Sequence, residues 1–142
     1  MDTISQIIET KGKQVWYAQP EDTVFDAITR LADKNAGALA VVENGNLVGI
    51  FSERDYTRKV FLQGKSSQKT LIKDVMTFPV HCAKPEHKID DCLAIMDSNG
   101  FRHMPVIAGG DLVGMVSLKD LVSVIIRRQE TIIQDLEAFI MG

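Results

Sequence analysis

The sequence predicts an α/β protein: two copies of one β-α-β-β-α unit packed about a pseudo-two-fold axis, followed by a long C-terminal helix. Three observations predict it. The phrase LVGIFSERD, Leu47 to Asp55, returns as LVGMVSLKD, Leu112 to Asp120, with Leu, Val, Gly, Ser and Asp kept in place. The match extends without a gap at an offset of 65 residues, from Pro20-Glu21 on Pro85-Glu86 through Asp26 on Asp91, Gly45 on Gly110 and Gly49 on Gly114. Apolar positions follow at the same offset: Val24 with Ile89, Leu31 with Met96, Leu39 with Met104, Val60 with Ile125. A helix pattern and a strand pattern preserved at one offset mark a duplicated supersecondary unit.

Each element has its own signal. An apolar helical pattern covers Ile4 to Glu9. Val15 to Ala18 is a short strand candidate, and Val80 to Ala83 is its counterpart. Thr23 with Asp26 three residues on forms an approximate capping box. Val24, Ala27, Ile28 and Leu31 then make a stripe at helical spacing. Ala38 to Val42 is too short for a helix and Val-rich enough for a buried strand. Asn44-Gly45 is a two-residue hairpin turn, because both residues tolerate positive φ. The returning strand is Leu47 to Ser52, and a helix starts around Glu53. The second unit repeats this with a helix over Ile89 to Ser98, a strand from Met104 to Ile107, the turn Gly109-Gly110, a strand from Leu112 to Ser117 and a helix from Leu118. The polar stretch QGKSSQK, Gln63 to Lys69, is the linker, and Leu71 to Met76 is a short helical turn into unit two. The division expected is 8–65 and 71–130 for the units and 131–142 for a helical extension. A unit of about sixty residues is marginal alone, and two copies can stack the exposed faces of their sheets on each other. The stripe from Leu121 to Ile140 outruns its unit and needs a partner: the N-terminal helix or another subunit.

Composition narrows the function. The chain has 142 residues, 45% hydrophobic, with a formal net charge of -3. A mildly acidic protein lacks the basic face that displaces counterions from nucleic acid, so no DNA is expected. No apolar run reaches membrane-spanning length, and the N-terminus lacks a basic region followed by an apolar core. Cys82 and Cys92 form no CxxC pair, which suits a reducing compartment, the cytoplasm. His81, His87 and His103 lack metal-ligand spacing, so no metal site is expected. No nucleophile-base-acid arrangement is evident, and no enzyme activity is expected.

The paired LVGIFSERD and LVGMVSLKD phrases, each after an apolar strand and a Gly turn, resemble the signature of the cystathionine β-synthase (CBS) domain, two of which in tandem form a Bateman module. The resemblance covers about residues 10 to 127. It implies that an adenosine-containing ligand (AMP first, then NAD or ATP) sits in the cleft between the domains as a regulatory ligand, with no cofactor required. It further implies that the motif Asp binds ribose hydroxyls and that the Ser lies near ribose and phosphate, here Ser52 with Asp55 and Ser117 with Asp120. An ionised carboxylate accepts from both hydroxyls of a diol, and a helix N-terminus favours phosphate. Ser-x-x-Asp at such a junction is also an ordinary helix N-cap.

The copies diverge around these motifs. Unit two has Arg102 and His103 where unit one has Gly37 and Ala38. By the resemblance, Ser52, Asp55, Arg102 and His103 form a phosphate-equipped site; Val80 and His81 are further ligand-binding candidates. Ser117 and Asp120 form a second, weaker one near Lys13, Val15 and Trp16, with Lys119 in partial compensation. Arg54, Arg58 and Lys59 either contact a second phosphate or are solvated surface charge. Trp16 is either core or an adenine platform. A homodimer associated through helices is expected, with an unknown regulated protein. The alternatives are a structural interaction module with degenerate clefts and an unrecognised nucleotide-processing enzyme.

Overall fold

The computed structural model describes residues 2–12 and 14–141. Helix α1 (Ile4–Lys11) precedes β1 (Tyr17–Ala18), α2 (Val24–Lys34), β2 (Ala38–Glu43), β3 (Asn46–Ser52) and α3 (Glu53–Asp55), which continues as a π-helical segment, Tyr56–Phe61. A 3-10 turn (Ile72–Asp74) leads to α4 (Ile89–Asn99), β4 (His103–Ala108), β5 (Asp111–Ser117) and α5 (Leu118–Met141). Unit one has a sheet in the order β1-β2-β3, with β1 parallel and β3 antiparallel to β2; unit two pairs β4 and β5 antiparallel.

Turn chemistry sets the hairpins. Asn44 and Gly45 adopt φ 52 and 79, and Gly109 and Gly110 adopt 58 and 85, the two successive left-handed residues of a type I′ turn. The ladder slips at the same point in both units, after Val41 and after Val106. The two leading strands are shorter than the pattern suggests. One narrows to Tyr17–Ala18. The other narrows to a single bridge, in which Ala83 donates to the Pro105 carbonyl and accepts from Ile107, both at 2.8 Å. Pro79 and Pro85 flank that stretch and bring no N–H to a ladder.

The cores are interlocked. The first joins Val24, Ala27, Leu31, Leu39, Val41, Phe51 and Val60 to Ile72 and Val75, which follow the linker. The second joins Ile89, Met96, Met104, Val106, Val116 and Leu121 to Ile4, Ile7 and Ile8 from α1. Each unit's leading segment therefore fills the other unit's core. Bridges between Thr23 and Leu71 and between Thr3 and Lys88 pin the exchange. Ile4 and Ile7, ahead of the boundary expected at residue 8, lie inside the second unit.

The exchange explains the glycine in each repeated phrase. A Cβ on Gly49 would lie 2.5 Å from Met76 Sδ and 3.2 Å from the Thr77 carbonyl oxygen, and one on Gly114 would overlap Ile8 Cδ1. The crossing segments pass directly over both. Val15, Ala38, Ala40, Ile50 and Met115 form the seam between the sheets. Arg128 of α5 ties the segment ahead of α1 to α4, binding Asp2 at 2.8 Å and Asp90 at 3.3 Å.

Candidate functional site

Both repeated phrases end at a strand-to-helix junction beside a cleft. At the end of β3, Ser52 keeps extended backbone while the next residue turns helical. Its Oγ accepts from the Asp55 N–H at 3.2 Å, and Asp55 Oδ2 accepts from the Ser52 N–H at 2.9 Å. At the end of β5 the Asp120 N–H donates to Ser117 Oγ at 3.1 Å, and Asp120 Oδ2 accepts from the Ser117 N–H at 2.8 Å. Both are capping boxes with Asp in the acidic position. The motif thus starts a helix in either unit, and in doing so it fixes a carboxylate at a cleft.

The clefts differ in how those carboxylates are engaged. Asp55 Oδ1 accepts from Thr77 Oγ1 at 2.9 Å and from the Lys59 ammonium at 3.1 Å. Both of its oxygens are bonded, and its side chain is only 10% exposed. Asp120 Oδ2 takes the Lys11 ammonium at 2.7 Å, while Lys11 also donates to the Met115 carbonyl. Its Oδ1 has no hydrogen-bond partner among the described residues, and its side chain is 23% exposed. Burial alone would raise the Asp120 pKa. The Lys11 ammonium and the Ser117 donors outweigh it and hold the carboxyl below the ordinary carboxylate value.

The Asp55 cleft, about 390 Å³, brings together Ser52, Arg54, Asp55, Arg58, Lys59, Arg102 and His103. Arg54 reaches across it to the Gly100 carbonyl at 2.7 Å. The Asp120 cleft, about 750 Å³, brings together Val15, Trp16, Ser117, Lys119 and Asp120, again with Arg102 and His103. The basic pair of β4 therefore serves both clefts. Lys11 and Lys34 add charge to the second, so it is not the poorer one in cations; Lys34 sits 4.6 Å over the Trp16 ring. Val80 and His81 line neither cleft: Val80 packs on the inter-sheet seam, and His81 stacks on Phe101 at 5.0 Å. Lys13 lies outside the described residues.

His103 stands between the clefts because unit one has glycine opposite. A Cβ on Gly37 would come within 2.9 Å of its Nε2. Burial first, then Lys11 and Arg102, depress the His103 pKa below 6.5 against an opposing pull from Asp120. The imidazole is neutral at neutral pH and offers one donor and one acceptor. Sequence reasoning missed Lys11, Lys34, Gly37 and Thr77. Lys11 and Thr77 sit on the crossing segments, ahead of the stretch where the repeats align. Among the described residues no His, Cys, Asp and Glu cluster could hold a metal, and no helix is long and apolar enough to cross a membrane.

With the geometry in hand, the family follows. The CBS domain model matches residues 4–61 and 72–127, and the chain belongs to the CBS domain family as a tandem pair. A mitochondrial CBS domain-containing protein of Arabidopsis thaliana, CBSX3, is 38% identical over 99% of this chain and 72% of its own length. A CBS-domain protein from Burkholderia ambifaria MC40-6 superposes with a TM-score of 0.86 at 40% identity, covering 90% of this chain and 96% of that one. The CBS domain pair of protein MJ0100, solved with 5'-methylthioadenosine and S-adenosyl-L-methionine, shares the fold at 23% identity and a TM-score of 0.80, covering 90% and 98%.

Proposed function

We propose that the chain is a non-catalytic regulatory module that binds an adenosine-containing nucleotide between its repeats, AMP first and NAD or ATP next. One observation carries the reading: the Asp120 carboxylate keeps an oxygen without a hydrogen-bond partner among the described residues, in a cleft lined from both repeats. In this reading a ribose diol donates to that carboxylate, the adenine takes the place of the Lys34 ammonium over the Trp16 ring, and Lys119 and Arg102 take the phosphate. The adenosyl ligands of protein MJ0100 support the class of compound.

The Asp55 cleft binds second. A diol there must replace the Lys59 ammonium and the Thr77 hydroxyl on Oδ1. The released Lys59, beside Arg58 and Arg102, then serves the phosphate. Because Trp16 and Lys34 belong to unit one and Asp120 and Arg102 to unit two, the ligand favours the conformation that holds both units closed. The module works as a homodimer and passes this change to a regulated protein. A reducing, cytoplasmic setting suits exposed Cys82.

The complete internal bonding of Asp55 favours a second reading, a structural module whose clefts stay empty. A thermal-shift panel of adenosine, AMP, ATP, NAD and guanosine monophosphate separates the two. A ligand at about a hundred times its Kd stabilises by about 2.7 kcal/mol, a Tm rise of roughly 5–10 °C for a chain this size. The adenosyl compounds should raise Tm and the guanosine control should not. A flat panel selects the structural reading.

A further inference from the structure

Helix α5 carries an apolar stripe along its outer face. Val122, Ile126, Ile133, Leu136 and Ile140 are 40%, 52%, 53%, 57% and 79% exposed. Together with Gln129 they recur alternately four and three residues apart. That spacing is the seam of a paired helix. Apart from Asp120, which is bound to Lys11, the charges are segregated: Lys119, Arg127 and Arg128 (the last bound to Asp2 and Asp90 of its own chain) lie in the first half, Glu130, Asp135 and Glu137 in the second, and the last turn has no basic residue. Acids toward the C-terminus and bases toward the N-terminus oppose the helix's own dipole.

We propose that α5 pairs antiparallel with α5 of a second copy of this chain. Ile126 then lies opposite the partner's Leu136, Gln129 opposite the partner's Ile133, and Val122 opposite the partner's Ile140, so every seam position meets a seam position. The basic half of each helix runs along the acidic half of its neighbour, and each acidic end approaches the positive end of the other dipole. A parallel pair would set like charge beside like. Val122 also lines the Asp120 cleft, so the pairing brings the second copy to the rim of that cleft. The inference specifies the dimer of the regulatory reading but rests on α5 alone; a flat ligand panel leaves it untouched.

Spin labels on the full chain test it, in a Cys82→Ser background that keeps the buried Cys92. Labels at Thr131→Cys sit near the crossing point and should give a short inter-subunit distance. Labels at Ala138→Cys, seven residues further along each helix, should lie about 20 Å further apart along the axis, from a rise of about 1.5 Å per residue. Leu136→Glu, at a site 57% exposed, should abolish both distances and leave the circular dichroism unchanged, and Ile133→Glu should repeat it. Equal distances at the two positions, distances that survive Leu136→Glu, or no dipolar coupling at all would overturn the proposal.

Discussion

Gly49 and Gly114 show how one residue serves two scales. The repeated phrase marks them, but their reason lies in segments the repeat comparison does not reach, Met76-Thr77 and Ile8. Gly114→Ala should cost about 1–3 kcal/mol by overpacking. Pairing it with Ile8→Ala in urea unfolding should give less than the sum of the single costs, since the smaller residue vacates the clash; strict additivity would mean the two do not meet. His103 gives a pH dependence. Its folded pKa lies below 6.5, so the unfolded chain binds the proton more readily. Its stabilising contribution is complete above that value and is lost as the pH falls through the folded pKa. The urea midpoint should therefore drop between about pH 7.5 and about pH 5.5. His103→Gln should make that drop smaller, and an unchanged drop would assign it to other groups.

At the scale of elements, much of the fold is legible in the sequence. The capping Thr23, whose Oγ1 accepts from the Asp26 N–H at 3.2 Å, the Asn44-Gly45 turn and the strand alternation are local features that backbone sterics decide. What is not legible is partnership. An apolar stripe shows that α1 buries a face but not which face receives it, so the exchange of leading segments and the cations it carries into the clefts escape a reading of one unit at a time. Ile7→Ala should cost about 2–5 kcal/mol. Hydrogen exchange should show the loss first in the amides of β4 and β5, about a hundred residues away in sequence, rather than in β2 and β3. Faster exchange confined to α1 would mean that α1 is not part of the second core. The clefts were legible to the extent of the two motif carboxylates and the basic pair. The state of each carboxylate was not, because Lys11 and Thr77 reach it through tertiary contacts.

For the whole molecule, the interlocked cores make the two clefts features of one body, with Arg102 and His103 shared between them. In the proposed reading a ligand in one cleft would bear on the other through that pair, and the order of binding follows from which carboxylate accepts first. The Asp120 cleft has the open oxygen, whereas the Asp55 carboxylate must first give up Lys59 and Thr77. Hydrogen bonds to a charged acceptor are worth about 1.5–3 kcal/mol each, and about 1.4 kcal/mol is tenfold in affinity. The most direct measurement is calorimetric titration of AMP into the wild type, Asp120→Asn and Asp55→Asn, both of which retain a capping side chain. Asp120→Asn should weaken the tighter binding about tenfold or more, and Asp55→Asn should leave it within about threefold. AMP binding that is absent from the wild type, or indifferent to Asp120→Asn, would contradict the account.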